Sequence, residues 1–222
     1  MKILVFDTET TGLPERNASF YDTEKWPYIV QLSYILYDTE SKMVLDICDN
    51  IIKIPNNITI SKASENIHKI SNDLSREKGI DINQALNQFN DTVINSDLII
   101  GHNINFDKNM IIVETIRNKY KRIFNTGQKF YCTMKNSVNV CKIINPNLKS
   151  STKISYKYPK LIELYRHYFN NESNEEKLNL HNSLFDTIIT LQCYGMLEYN
   201  TDYVKESPNL NAIIGLSQLR FL

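Results

Sequence analysis

The hydrophobic period changes along the chain, from the spacing typical of strands to the spacing typical of helices, and this change limits the possible folds. Residues 2–6, 29–37 and 43–53 are rich in β-branched and aromatic side chains, a composition that favours strands. Residues 38–42 join the second and third segments and have the length of a hairpin connection. From residue 83 onwards, most apolar residues recur at the spacing of three or four that is typical of helices. This order predicts a three-strand antiparallel start followed by alternating helices and strands, which is an α/β arrangement.

Helical spacing is clearest from Phe106 to Tyr120, where apolar side chains recur every three or four positions and share one face. Short apolar runs predict two further strands at residues 98–100 and 130–132. The predicted helices are residues 83–95, 106–120, 133–143, 159–169 and 183–198. Residues 15–27 are polar and are predicted to form a long loop.

The composition is typical of one globular domain, because 42% of the 222 residues are hydrophobic and 23% are charged. No apolar run approaches the ~20 residues that span a bilayer, and the apolar N-terminal stretch ends at Asp7, unlike a signal peptide. The four cysteines lack C-x-x-C spacing, so neither a disulfide framework nor a zinc site is indicated. We therefore expect an intracellular protein with a domain at residues 1–206 and a C-terminal tail of unknown role at 207–222.

Charge is distributed unevenly although the formal net charge is zero. Residues 108–166 contain 13 basic and 2 acidic residues, which leaves 12 basic and 23 acidic residues for the rest of the chain. The segment therefore carries +11 and the remainder −11. Such asymmetry indicates a polyanion-binding face, and the alternative is a set of solvated helix faces.

Asp7 and Glu9 follow the first predicted strand. Residues two apart in a strand point to the same face, so two carboxylates would lie side by side there. Their repulsion is costly unless a cation neutralises it. The alternative is that the strand has already frayed into the turn at residues 11–14, leaving both acids in solvent.

Two further acids lie near predicted helix starts. Asp107 follows Gly101 at the beginning of an amphipathic helix, where an acid is most often a cap or a dipole partner. Asp186 follows Ser183 with the spacing of a capping box. His181 precedes them, and because residues five apart in a helix lie about 140° apart, His181 can share a site with Asp186 only from outside the helix.

Together and in this order, these residues resemble the DEDDh exonucleases, the superfamily that includes the proofreading exonuclease subunit of bacterial replicative DNA polymerases. The stretch VFDTETTGL at residues 5–13 resembles the first family motif. HN-x-x-FD at residues 102–107 resembles the second, and H-x-x-x-x-D at residues 181–186 resembles the third in its histidine form. The similarity extends over residues 1–200, and Lys69 departs from it by standing where the family usually has glycine.

The resemblance implies a ribonuclease-H-like α/β fold with a mixed five-stranded sheet flanked by helices. It implies a metal-dependent 3′→5′ exonuclease that releases nucleoside 5′-monophosphates, with DNA favoured as substrate. Two divalent cations, Mg²⁺ or Mn²⁺, would stabilise the attacking and leaving oxygens, and both prefer hard oxygen ligands. The alternatives are an RNA 3′ exonuclease or oligoribonuclease and a catalytically silent nucleic-acid-binding module.

The resemblance also assigns roles to individual residues. Four carboxylates would hold the metal ions: Asp7, Glu9, Asp107 and Asp186. His181 would be the general base, and its ordinary pKa of ~6.5 suits that task. The substrate-binding candidates are Thr10, Thr11, Leu13, Ile67, His68, His102, Asn103 and Phe106. Other readings are open for some of them: Leu13 and Phe106 as core residues, His68 as a surface histidine, and His102 and Asn103 as loop-stabilising hydrogen bonders.

The partner implied by these motifs is a nucleic-acid 3′ end. A DNA polymerase or a sliding clamp would have to be a separate chain, since no polymerase domain fits within 222 residues. The terminal residues 218–222, QLRFL, faintly resemble the Q-L-x-L-F peptide that docks on bacterial sliding clamps. The competing interpretation is a tail that packs on the domain.

Overall fold

A computed structural model of the chain describes residues 1–146, 155–169, 182–210 and 212. Its five strands form one sheet in the order β3-β2-β1-β4-β5, with β1 antiparallel to β2, β2 antiparallel to β3, and β4 parallel to both β1 and β5. The strands are β1 (Lys2–Thr10), β2 (Ile29–Asp38), β3 (Met43–Ile51), β4 (Leu98–Gly101) and β5 (Phe130–Cys132). The predicted mixed five-stranded sheet with an antiparallel start is confirmed.

Helices flank this sheet. In the described part of the chain they are α1 (Lys62–His68), α2 (Asn72–Lys78), α3 (Ile82–Ile94), α4 (Ile104–Arg117), α5 (Thr133–Asn136), α6 (Val138–Cys141), α7 (Leu161–Phe169), α8 (Ser183–Tyr199) and α9 (Tyr203–Glu206). The sequence did not predict α1 and α2. Each is only seven residues long and buries one residue, so neither leaves an apolar stripe to detect. Their N-caps, Ser61 and Ser71, accept hydrogen bonds from backbone N–H groups and mark where the helices begin.

Several predicted boundaries were wrong, and three elements differ most, since β3 and α7 are each only two residues shorter than predicted. β1 continues to Thr10 instead of ending at residue 6, because residues 8–10 keep their pairing with β2. α4 begins at Ile104 and ends at Arg117, so Tyr120 lies beyond the helix. The single helix expected at residues 133–143 is two short helices that meet at Ser137.

The sheet is packed on both faces. Leu4 and Phe6 of β1 face α3 and α4, where they contact a core that includes Phe89. The alternate residues Ile3 and Val5 face α8, in line with the period of two that a strand imposes. α8 therefore lies across β1 and β2 on the opposite face from α4.

The chain stays in contact with the sheet after α9. The Asn209 side chain accepts a hydrogen bond from the Val44 N–H (3.1 Å) and donates one to the Val44 carbonyl (2.9 Å), and Leu210 is fully buried. The boundary at residue 206 stays a prediction, and residues 218–222 lie outside the described residues. In the part of the chain that the structure covers, every helix is too short or too polar to cross a bilayer.

Candidate active site

The end of β1 presents two carboxylates on one face. Asp7 and Glu9 are paired in register with Ser33 and Gln31 of β2, so both acids belong to regular strand and not to a frayed turn. Their side chains share the α8 face of the sheet, whereas Thr8 between them faces α4. The pairing becomes irregular between Glu9 and Thr10, where the strand ends.

A third carboxylate comes from the first turn of α8. One oxygen each of Asp7, Glu9 and Asp186 lies within 4.8 Å of the others. Asn182 is the N-cap, and its side-chain oxygen accepts hydrogen bonds from the N–H groups of Leu184 (3.1 Å) and Phe185 (3.4 Å). The capping-box interpretation of Ser183 is therefore wrong, because the cap is one residue earlier.

Asp107 reaches the same strand end from the other side of the sheet. Its Oδ1 accepts hydrogen bonds from the Thr8 N–H (3.0 Å) and the Thr8 hydroxyl (2.8 Å), and the residue is 3% exposed. The N-cap of α4 is Asn103, so the cap interpretation of Asp107 is also wrong. These bonds fix the Asp107 carboxylate beside the backbone that separates Asp7 from Glu9.

The four carboxylates perturb one another. Burial raises the pKa of Asp7 well above its usual range, and the charges of Asp107, Asp186 and Glu9 raise that pKa further. Burial raises the pKa of Glu9 to about 8, with Asp186 and Asp107 adding to the effect. Burial also raises the pKa of Asp107 to about 7, although the hydrogen bonds from Thr8 lower it. Without a cation, this cluster holds protons that isolated carboxylates would have lost at neutral pH.

A polar pair on β2 holds the first residue of α8 next to these acids. The Ser183 hydroxyl lies 2.5 Å from the Ser33 hydroxyl, and the Ser183 N–H donates to Gln31 Oε1 at 3.4 Å. Gln31 and Ser33 are not among the predicted site residues, because their importance depends on cross-strand register with Asp7 and Glu9. The signal that could have found them is their spacing of two in the neighbouring strand.

Exposed apolar side chains flank the strand end. Leu13 is 84% exposed, which excludes the interpretation of this residue as part of the core, and Ile67 of α1 is 48% exposed. Thr10 and Thr11 are buried. The Thr10 hydroxyl donates to the Gly12 carbonyl (2.7 Å), and Thr11 Oγ1 accepts from the Tyr28 N–H just before β2 (3.0 Å). The hydroxyls of both threonines thus shape the turn that presents Leu13.

His68 is buried against the same turn and is not a surface histidine. Its Nδ1 accepts a hydrogen bond from the Ile70 N–H (3.0 Å), which places the ring proton on Nε2. Burial lowers the pKa of His68, and the neighbouring Thr10 backbone and the charge of Glu65 oppose that shift. Lys69 follows in the left-handed conformation (φ 64°), where glycine is the least costly residue.

In the second motif, residues 102–107, His102 makes hydrogen bonds within the fold and Asn103 is exposed. His102 lies 3.0 Å from the Thr133 hydroxyl through Nδ1, and its Nε2 donates to the Pro159 carbonyl at 3.1 Å. Burial lowers the pKa of His102 to about 4, so the ring is neutral at physiological pH. Asn103 is exposed, and Phe106 is half-buried against the core. His181, the predicted base, lies outside the described residues.

The basic segment runs from α4 to α7. Both of its acids already bind a base, since Glu114 pairs with Arg117 at 2.5 Å and Glu163 pairs with Lys157 at 2.6 Å. The excess of positive charge in this segment therefore resides on its other lysines and arginines.

Comparison with known proteins identifies the family. Residues 4–194 match the model of the exonuclease family. The chain belongs to this exonuclease family. Among curated proteins, none matches the chain.

Solved exonuclease structures share the fold. Escherichia coli exonuclease I in complex with a dT13 oligonucleotide matches with a TM-score of 0.63 at 16% identity, over 92% of this chain and 42% of that one. A zinc-bound form of the E. coli exonuclease I complex with single-stranded DNA matches with a TM-score of 0.59 at 16% identity, over 97% and 43%. Exonuclease X in complex with 5′-overhanging duplex DNA matches with a TM-score of 0.55 at 18% identity, over 90% and 93%. The chain thus spans less than half of exonuclease I and nearly the whole of exonuclease X.

Proposed function

We propose that this nuclease is a metal-dependent 3′→5′ exonuclease that releases nucleoside 5′-monophosphates, with DNA as its preferred substrate. The observation that carries the proposal is the group of carboxylates at the end of β1. One carboxylate oxygen each of Asp7, Glu9 and Asp186 lies within 4.8 Å of the others. Asp107 accepts a hydrogen bond from the N–H of Thr8, the residue between Asp7 and Glu9. Family membership supports nuclease activity. The resemblance of the motifs to the DEDDh exonucleases supports the 3′→5′ direction of cleavage.

The residues present fit divalent cations. Carboxylate oxygens are the hard donors that Mg²⁺ and Mn²⁺ prefer. Burial and mutual repulsion raise the pKa of three of these acids, and a bound cation would offset that repulsion. When bound, two such ions supply Lewis-acid stabilisation of the attacking and leaving oxygens of a phosphodiester.

The side chains of this site would then have different roles in metal binding, proton transfer and substrate contact. Asp7 and Glu9 present their oxygens from a rigid strand, while Asp107 and Asp186 present theirs from the first turns of α4 and α8. His181, just before α8, would accept the proton of the attacking water. Leu13 is exposed next to the strand end, where its side chain is free to contact the terminal base.

DNA is proposed as the substrate because the exonuclease I and exonuclease X structures with this fold are complexes with DNA. The excess positive charge of residues 108–166 suits the phosphate backbone of either nucleic acid. A role in proofreading beside a separate polymerase chain rests on the motif resemblance alone.

The test is a degradation assay with 5′-labelled single-stranded DNA, duplex DNA and RNA in Mg²⁺, in Mn²⁺ and in EDTA. Ladders that shorten from the 3′ end and release 5′-monophosphates, in metal and not in EDTA, are the expected result. Faster degradation of RNA would replace the DNA proposal with the RNA exonuclease. Equal degradation in EDTA would overturn the metal requirement.

A His181→Ala variant separates the base from the metal ligands. We expect hydrolysis to slow by about 10²–10⁴-fold, because a positioned general base contributes that much. Mn²⁺ binding measured by calorimetry should match the unchanged protein. If the variant keeps the acidic limb of the wild-type pH–rate profile, His181 is not the base.

A further inference from the structure

A row of polar side chains crosses three strands next to the carboxylates. Asp7 pairs with Ser33 in β2, and Ser33 pairs in turn with Asp49 in β3, so the three side chains share the α8 face of the sheet. Two residues further along β1, Glu9 pairs with Gln31 of β2. Ser33 and Gln31 are buried, whereas Asp49 lies on the exposed edge strand.

The hydrogen bonds of this row have defined directions. Asp49 Oδ1 accepts from Gln31 Nε2 and from the Ser33 hydroxyl, both at 2.7 Å. Because an ionised carboxylate can only accept, Ser33 uses its proton on Asp49 and must accept from the Ser183 hydroxyl. The same logic orients the Gln31 amide, whose nitrogen faces Asp49 and whose oxygen accepts the Ser183 N–H at 3.4 Å.

Both bonds end on Ser183, the first residue of α8. Ser183 is fully buried, so water does not replace the contact with Ser33. Asp186 lies three residues further, less than one helical turn from this anchor. Apolar contacts through Leu184 and Ile188 hold the helix against the sheet, but they do not specify its axial position as directional hydrogen bonds do.

We propose that Ser33, oriented by Asp49 and assisted by Gln31, is a positioning residue that sets the start of α8 and thereby the place of the Asp186 carboxylate in the metal site. This inference rests on the proposed function, since it assumes that Asp186 is a metal ligand. It assigns to the edge strand β3 a part in metal affinity, although none of its residues is among the proposed ligands. Groups that orient metal ligands typically change metal affinity or activity by 10–100-fold when removed.

The experiment measures Mn²⁺ binding by calorimetry on substrate-free protein, together with kcat, KM and the thermal midpoint. Ser33→Ala should weaken Mn²⁺ binding by about tenfold or more and lower kcat at unchanged KM. Asp49→Ala should do the same. Asp49→Asn should bind Mn²⁺ within about twofold of the wild type, because its Oδ1 can accept the same two hydrogen bonds.

Asp46→Ala is the matched control. Asp46 is on the same strand and accepts a hydrogen bond from the Thr92 hydroxyl (2.9 Å), but its side chain lies on the α3 side of the sheet. Its removal should lower the thermal midpoint without changing Mn²⁺ affinity. If Ser33→Ala and Asp49→Ala behave like this control, the two residues support the fold alone and the proposal is wrong.

The other outcomes are also decisive. Loss of Mn²⁺ affinity in Asp49→Asn equal to that in Asp49→Ala would mean that the charge of Asp49 matters and not its hydrogen bonds, which overturns the positioning role. A wild-type protein that fails to bind Mn²⁺ at all would instead remove the proposed function. The two failures are therefore distinguishable.

Discussion

Two acidic sites, one at the start of β2 and one at the end of β1, have different surroundings. Glu114 is 2% exposed and has its partners within the chain: Arg117 at 2.5 Å, the Ile29 N–H at 3.2 Å and the Asn118 amide at 3.0 Å. Burial raises the pKa of Glu114, while these groups lower it. At the strand end, the neighbours that shift the pKa of Asp7 are all carboxylates.

The difference lies in whether the chain provides a positive charge for the carboxylates. None of the ion pairs found among the described residues includes Asp7, Glu9 or Asp107. Arg117 does more than balance Glu114, because it also donates to the carbonyls of Thr23, Trp26 and Pro27 and so fastens the loop before β2. One group supplies its own cation and stabilises the fold. For the other, we propose that a cation from outside the chain balances the carboxylates.

The sharpest test of this contrast is Asp7→Asn. We expect the exonuclease activity in Mg²⁺ to fall by on the order of 10³-fold, since an electrostatic contact to the transition state is lost. The thermal midpoint in EDTA should hold or rise, because one of several like charges is removed. Activity and circular dichroism melting curves check both statements. Near wild-type turnover in Mg²⁺ would remove Asp7 from the metal site.

Arg117→Met should show the opposite pattern. Leaving Glu114 buried without its cation should lower the free energy of unfolding by about 3–5 kcal/mol. Mn²⁺ affinity should stay at the wild-type value, because Arg117 does not contact the carboxylate cluster. Urea unfolding and calorimetry measure the two quantities. The double variant Glu114→Gln with Arg117→Met serves as control and should recover part of the lost stability.

Some elements of the fold could be predicted from the sequence and others could not. Hydrophobic period predicted the strands of the sheet and the long helices α3, α4 and α8, because these bury an apolar face. It missed α1 and α2, which bury His68 and Ser75 alone and are held by caps and local contacts. It ended β1 early because Thr8, Glu9 and Thr10 are polar, although their strand pairing continues.

The candidate site divides in a similar way. Asp7 and Glu9 were recognisable from a spacing of two and a motif, and the structure places Asp186 beside them. Ser33 and Asp49 could not be recognised in this way. Their relation to α8 depends on strand register and on the contact between Ser33 and Ser183, which are 150 positions apart in the sequence. The spacing of two in β2 could mark Gln31 and Ser33 as sharing one face, but their contact with Ser183 is set only in the folded protein.

The pH dependence of stability should also distinguish the two groups. In EDTA, Glu9 has a pKa of about 8 in the folded chain and ~4.3 when unfolded, so the folded state retains a proton between these values. Its contribution to stability is therefore complete below pH ~4 and is lost as the pH rises towards 8. We expect Glu9→Gln to gain on the order of 1–3 kcal/mol over wild type between pH 5 and pH 8. Urea unfolding at the two pH values gives the difference.

Saturating Mn²⁺ provides the control for that measurement. A bound cation stabilises the charged form of Glu9, so the wild-type loss of stability towards pH 8 should shrink or reverse. Wild type and Glu9→Gln that follow parallel pH curves in EDTA would show that Glu9 does not carry the shifted ionisation.

The smallest effect concerns backbone strain beside the cluster. Lys69 holds a left-handed conformation (φ 64°) at the end of α1, directly after His68. A residue with a Cβ is strained there by about 1–2 kcal/mol, and glycine regains part of that at the expense of a more flexible unfolded chain. Lys69→Gly should therefore raise the free energy of unfolding by about 0.5–1 kcal/mol. Because the backbone already follows the path that glycine would take, kcat and Mn²⁺ affinity should not change. A gain in stability accompanied by a lower kcat would instead mean that the strain at Lys69 serves the site, and would extend the functional region from the carboxylates to the end of α1.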